Sequence, residues 1–139
     1  MKNKIRVLLL AALSAFISAQ AKTTQELEQL TFAADSLYSL GQIDAALAIS
    51  EKIIRLAEQT GDEAAITSSY TSQGVYLRSS GRIEEAVKAY DTALKHARLL
   101  PQDSQENLEA LTTLYNNLAT LHLDMKNAER AGKYAEEAV

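Results

Sequence analysis

Apolar and small residues recur from residue 43 onward with the spacing of one helix face. In the segment that begins at Ile43, such residues stand at offsets 0, 3, 4, 7, 10, 11 and 14. A shift of 40 residues, to Ile83, reproduces these offsets, and a further shift of 45, to Ala128, follows them as far as Val139. Three helices with one spacing indicate an internal repeat.

A second helical stretch precedes each of these helices, and a short break separates the two. Gly41 and Gly81 stand two residues before the later helices, where a residue free to adopt positive φ ends one helix and begins a tight turn. Lys126 and Asn127 occupy that place in the third unit, and we expect Asn127 to adopt the left-handed conformation. The pattern predicts three helical hairpins.

The predicted helices and their caps define an all-α fold. Asp62 and Ser104 are the candidate N-caps at the links between hairpins. The helices are expected at 23–40, 43–59, 62–79, 83–99, 104–125 and 128–139.

Residues 1–21 have the composition of a targeting segment. Lys2, Lys4 and Arg6 precede an apolar run over 7–17, and small residues surround a candidate cleavage site after Ala21. The run is shorter than the ~20 residues that a membrane span requires. We therefore expect residues 1–21 to be a cleaved signal peptide, with an uncleaved anchor as the alternative, and 22–139 to be the exported domain.

Composition limits the classes of partner. Residues 1–21 hold three of the 14 basic residues and none of the 18 acidic ones, so the mature chain would carry a net charge of −7. A surface that acidic argues against nucleic acid and anionic membrane as partners.

The chain has no Cys, which excludes disulfides and thiolate chemistry. Only 6% of its residues are aromatic, so small aliphatic side chains must fill the interior.

The middle unit resembles the tetratricopeptide (TPR) repeat. Its order of large, small, turn, small and aromatic residues is carried by Tyr70, Gly74, Leu77, Gly81, Ala86, Tyr90 and Ala93. The first unit matches less fully because Ser50 replaces an aromatic residue. In the third, Lys126 replaces Gly and Ala135 replaces the aromatic residue. The physical basis of the pattern is close helix crossing, with Gly74 and Ala86 at the approach and Tyr70 and Tyr90 beside it.

The resemblance implies a right-handed superhelical array of about three hairpins, a TPR-like α-solenoid with an incomplete last repeat. Spacings of 40 and 45 exceed the 34 residues usual in the family. Such long repeats resemble exported arrays of bacterial signalling proteins, in which a membrane helix and an output domain follow. We expect the chain to be the N-terminal piece of such a protein.

The resemblance also implies a concave groove lined by the first helix of each hairpin. Tyr38 and Arg78 are expected to anchor a ligand there while being dispensable for the fold. The groove candidates are Thr31, Asp35, Tyr38, Thr71, Val75, Arg78, Asn116, Thr120 and Leu123. The Lys, Arg and Asn set with which some family members grip a C-terminal carboxylate is not reproduced, because Arg78 is the only cation and Asp35 would repel a carboxylate.

The chain offers little material for catalysis. His96 and His122 lie in different repeats without metal-ligand spacing, and His122 falls in an apolar helix slot where packing is its expected role. No Gly-rich phosphate loop is present, and the carboxylate pairs lie on predicted solvent faces. We expect no enzymatic activity, cofactor or metal.

Two hypotheses remain for function. The first is a periplasmic scaffold, or the extracytoplasmic sensor region of a membrane protein, that binds a peptide or partner helix in its groove. The second is a structural module that binds no separate ligand and self-associates through its C-terminal repeat.

Overall fold

The computed structural model describes residues 2–126 and 128–139, and this part of the chain forms six helices without a strand. They are α1 (Lys2–Ser39), α2 (Ile43–Thr60), α3 (Glu63–Ser79), α4 (Ile83–Ala97), α5 (Gln105–Asp124) and α6 (Ala128–Glu137). Consecutive helices pack as three hairpins, and α3 also contacts α5. The architecture is the predicted TPR-like α-solenoid.

The bounds of α2 to α6 agree with the sequence pattern to within two residues, whereas the predicted start of α1 is wrong. We expected that helix to begin at residue 23, yet it begins at Lys2 and crosses the predicted cleavage site. The reason is local, because residues 2–39 contain neither Gly nor Pro to interrupt the backbone hydrogen bonds.

The first half of α1 lies apart from the core. Its large apolar side chains, from Ile5 to Ile17, are 55–70% exposed, and Leu27 is the first hydrophobic residue of the helix to pack against the core. By length and composition this is the one helix in the described residues that could cross a membrane, a test that signal sequences also pass.

The turns within the first two hairpins have the same geometry. Gly41 and Gly81 adopt φ values of 75° and 78°, as predicted. In each turn, the N–H of the following residue donates to a carbonyl five positions back, Gln42 to Leu37 and Arg82 to Leu77, both at 2.9 Å. These are Schellman motifs, which satisfy the last carbonyls of α1 and α3.

In the third hairpin, the residue with positive φ is Lys126, at 56°. It stands at the sequence position equivalent to Gly41 and Gly81, and its N–H donates to Leu123 O at 2.9 Å. Asn127, which we expected to take this conformation, lies outside the described residues. A side chain with a Cβ therefore occupies a left-handed position in this turn.

Both predicted N-caps between hairpins are confirmed. Asp62 Oδ1 accepts hydrogen bonds from the N–H groups of Ala64 and Ala65, at 2.9 and 3.2 Å. Ser104 Oγ accepts from Asn107 N at 3.1 Å. These bonds satisfy first-turn donors of α3 and α5 and fix where each hairpin begins.

The repeated offsets form the core, as the pattern predicted. In α2 the buried residues are Ala46, Leu47, Ser50, Ile53, Ile54 and Ala57. In α4 they include the equivalents Ala86, Tyr90, Ala93, Leu94 and Ala97. Tyr90 is fully buried and its ring lies against Gly74, so the small residue on α3 accommodates the large one on α4.

The third hairpin departs from the pattern. Ala135, which stands in the slot of Tyr90, is exposed, and the preceding residue Tyr134 packs against the core instead. The Tyr134 ring stacks on His122 and Tyr115 of α5, with centroids 5.3 and 6.3 Å apart. An aromatic side chain one position earlier thus fills the space that Ala135 cannot.

Candidate functional site

The predicted groove residues lie on α1, α3 and α5, and several of them join these helices to one another. Tyr38 Oη lies 2.9 Å from Ser79 Oγ, and the Tyr38 ring lies 5.0 Å from that of Tyr76. Asp35 Oδ1 accepts a hydrogen bond from Tyr76 Oη at 2.6 Å. Tyr38 is therefore part of the packing between α1 and α3 as well as a groove candidate.

The Asp35–Tyr76 contact joins a carboxylate of α1 to a buried phenol of α3. Tyr76 is only 2% exposed. Burial, and then the hydrogen bond to the Asp35 carboxylate, raises the pKa of Tyr76 above its ordinary value. The hydroxyl remains a donor at neutral pH and holds the Asp35 carboxylate in position.

Arg78 does not offer the free charge that the sequence suggested. Its Nε donates to Asp124 Oδ2 at 2.7 Å, which joins α3 to α5. This bond raises the pKa of Arg78, while partial burial opposes the rise. The pairing neutralises the one cation that we assigned to the groove. The carboxylate that neutralises it lies on α5, in the next hairpin.

The three groove threonines share one hydrogen-bond arrangement. Each hydroxyl donates to the carbonyl one turn earlier in its own helix: Thr31 to Leu27 at 2.9 Å, Thr71 to Thr67 at 2.7 Å and Thr120 to Asn116 at 2.8 Å. A hydroxyl has a single proton but two lone pairs. These threonines therefore present acceptors to the groove.

The remaining candidates differ in exposure. Val75 is half-buried and packs against the core, whereas Asn116 and Leu123 are exposed on α5. Leu123 has 61% of its surface accessible. All nine candidates thus lie on the first helices of the hairpins, but only part of the set is open to a ligand.

Two cavities lie between the first helices. One, of about 380 Å³, is bounded by α1 and α3 and includes Thr31 and Asp35 in its lining. The other, of about 440 Å³, is bounded by α3 and α5 and includes Thr71. Ser68 lines both, so the two cavities adjoin across α3, and we call them together the α1–α3–α5 groove. Their volumes are within the range of ligand sites.

Sequence reasoning missed several residues of this groove. Ser68, Glu106, Glu109 and Thr113 line the cavity between α3 and α5. They precede the predicted candidates of the same helices by one to three helical turns. Extending the stripe through Thr71 and Asn116 toward the helix N-termini would have found them, since residues three and four apart share a face.

The two histidines lie outside the groove. His122 is 3% exposed, its Nδ1 has no hydrogen-bond partner among the described residues, and burial lowers its pKa. The prediction that His122 is a packed core residue is confirmed. His96 Nδ1 lies 2.6 Å from Glu63 Oε2, and together they join α4 to α3. The described residues contain no group of three or more His, Cys, Asp or Glu that could hold a metal ion.

The fold and its repeated turns define a class of helical repeat protein. Residues 67–97 and 112–139, within the second and third hairpins, match the tetratricopeptide repeat family. The chain therefore contains tetratricopeptide repeats.

Solved structures share the fold at low sequence identity. The chain is similar to the TPR domain of Arabidopsis FLU, with a TM-score of 0.73 and 19% identity over 84% of this chain and 93% of that one. It is also similar to BtubC (BKLC) from P. vanneervenii, with a TM-score of 0.64 and 22% identity over 91% of this chain and 56% of that one. No curated protein matches the chain significantly.

Proposed function

We propose that this chain is a non-catalytic protein-interaction module that binds a peptide or a partner helix in the α1–α3–α5 groove. The observation that carries the proposal is the pair of adjoining cavities along the first helices, which share Ser68. Tetratricopeptide repeats generally act as interaction scaffolds, and their presence in this chain supports the same role. An elongated cleft suits an extended segment or a helix.

We further propose that the module works outside the cytoplasm, as a periplasmic scaffold or as the sensor region of a membrane protein. The basic and apolar order of residues 1–21 supports export. The exposure of the same segment supports its independence from the folded repeats. Intact mass of protein recovered from a Gram-negative periplasm should correspond to a chain beginning at Lys22, and periplasmic or cytoplasmic protein that retains Met1 would contradict a cleaved signal.

Site-specific photocrosslinking tests the groove. A benzophenone amino acid in place of Ser68 or Asn116 lies in or beside the groove, whereas one in place of Glu84 or Lys88 lies on the exposed side of α4. We expect partner adducts from the first two positions. Adducts from Glu84 and Lys88 alone would assign binding to the second helices and refute the groove.

Self-association is the second candidate, and exposed apolar residues at the end of α5 favour it. Leu123 is 61% exposed and Met125 is 45% exposed. Sedimentation velocity of the wild-type chain and of a Leu123→Ser, Met125→Ser variant separates the two functions. A dimer that the double substitution dissociates would support self-association, and a monomer at all concentrations would exclude it.

A further inference from the structure

We infer that the segment bound in the α1–α3–α5 groove is cationic: an extended peptide whose Lys or Arg side chains enter the cavity between α3 and α5. This inference rests on the proposed function and specifies the chemistry of its partner. Hydrogen-bonding capacity and charge lead to it separately, and one unpartnered hydroxyl marks where a polar group of the ligand would bond.

Three of the hydroxyl groups that line the groove donate their protons to the protein's own backbone. Thr31, Ser69 and Thr71 donate to carbonyls of their own helices, at 2.9, 2.7 and 2.7 Å. What remains at each oxygen is a lone pair. A ligand rich in N–H donors complements such a surface, whereas a carboxylate or phosphate does not.

One buried hydroxyl in the lining lacks a partner. Thr67 lines the cavity between α3 and α5 and is 2% exposed, and its Oγ1 has no hydrogen-bond partner among the described residues. Buried polar atoms are normally hydrogen-bonded. A polar group that reached the floor of this cavity would supply the missing bond, as either donor or acceptor.

The formal charges around the groove are negative. Among the described residues that line the two cavities there are four carboxylates and neither Lys nor Arg. The carboxylates are Glu28, Asp35, Glu106 and Glu109. Arg78, the one cation that the sequence assigned to the groove, is paired with Asp124.

The partial positive charges at the helix N-termini do not cancel the negative charge around the groove. The cavity lies near the N-termini of α3 and α5, each of which carries a partial positive charge of about 0.5. Asp62 and Ser104 already accept hydrogen bonds from first-turn N–H groups. Glu106 and Glu109 add two full negative charges beside them.

The test uses the full chain and three labelled peptides of equal length on one Gly-Ser backbone, with Lys, Gln or Glu at the same positions. Fluorescence anisotropy should show binding of the Lys peptide that weakens as salt is added. The Glu106→Gln, Glu109→Gln variant should weaken this binding roughly tenfold, as expected for two partly exposed charge pairs. The matched control, Glu51→Gln with Glu84→Gln, removes two exposed carboxylates from α2 and α4. It should leave binding of the Lys peptide unchanged.

Several results would overturn the inference. No measurable binding of the Lys peptide, equal or tighter binding of the Gln or Glu peptide, or equal weakening by the control pair would each do so. Crosslinking from a benzophenone amino acid in place of Ser68 distinguishes failure of the cationic-ligand inference from failure of the proposed groove binding. A neutral or acidic partner captured there would retain the groove and reject the cationic ligand, whereas crosslinks confined to α4 would reject the groove itself.

Discussion

The ring of Tyr90 lies so close to Gly74 that a Cβ on residue 74 would stand 2.5 Å from Tyr90 Cε1. Tyr90 has no exposed surface, and Gly74 is buried on α3. Since no L side chain tolerates such an approach, the separation of α3 and α4 depends on this pair.

Gly74→Ala should therefore lower the free energy of unfolding by about 1–3 kcal/mol, the range for overpacking a core. This outcome runs against helix propensity, which favours Ala over Gly. Urea denaturation followed by circular dichroism measures the change. In a Tyr90→Leu background the same substitution should cost less, and an equal cost in both backgrounds would show that the ring contact is not the cause.

Lys126→Gly should stabilise the chain by about 1 kcal/mol, because an L residue in the left-handed region costs roughly 1–2 kcal/mol that Gly does not incur. Lys126 has a φ of 56°, whereas its neighbour Met125 has a φ of −77°. Met125→Gly is therefore the matched control and should be destabilising. Hydrogen exchange should locate the gain in α5 and α6, and a less stable Lys126→Gly variant would refute the explanation.

His122→Leu should raise stability at pH 7 by about 1 kcal/mol, because it removes a buried nitrogen without a partner. Leu also restores the residue found at the equivalent positions 37 and 77. Loss of the ring stack on Tyr134 opposes the gain.

The same substitution should remove a pH dependence. Burial first, and then Arg130, lowers the pKa of His122, while Asp91 opposes the shift. The unfolded chain, with a histidine pKa of about 6.5, therefore takes up its proton first as the pH falls. This contribution to stability is complete above about pH 6.5 and is lost as the pH falls through the folded pKa. Urea denaturation at pH 7.5 and pH 5.5 compares the two chains, and an unchanged pH dependence in His122→Leu would contradict us.

Arg78→Ala should strengthen binding of the Lys peptide, because it leaves the Asp124 carboxylate unpaired and makes the end of α5 more negative. The Arg78 and Asp124 side chains are 30% and 46% exposed, so loss of the pair should change stability by less than about 1 kcal/mol. Anisotropy and urea denaturation measure the two effects. Weaker binding would support the anchoring role that the sequence alone suggested for Arg78.

Repeat spacing and turn chemistry were sufficient to predict the fold, since both act locally. The offsets that start at Ile43 and Ile83 placed two helices and their buried faces, and Gly41 and Gly81 placed the turns before them. The start of α1 was missed because residues 2–21, which we interpreted as a cleaved signal, are themselves good helix formers.

The groove was predictable only in outline. Its helices follow from the repeat, but the charge of Arg78 depends on Asp124, which lies 46 residues away in sequence. Tyr38 likewise depends on Ser79, 41 residues away. The apolar spacing of a single helix does not predict such pairings, because they form only when successive hairpins stack.

The exposed first half of α1 would let the proposed cleavage take place independently of folding. Residues before Leu27 contribute no hydrophobic contact to the described core, and the predicted cleavage site after Ala21 lies on this unsupported part of the helix. A peptidase could therefore cut there without opening the repeats, and the released module would keep its groove intact. If the segment were not removed, α1 would hold the groove at a distance from any bilayer that contained its apolar end, since a helix rises about 1.5 Å per residue.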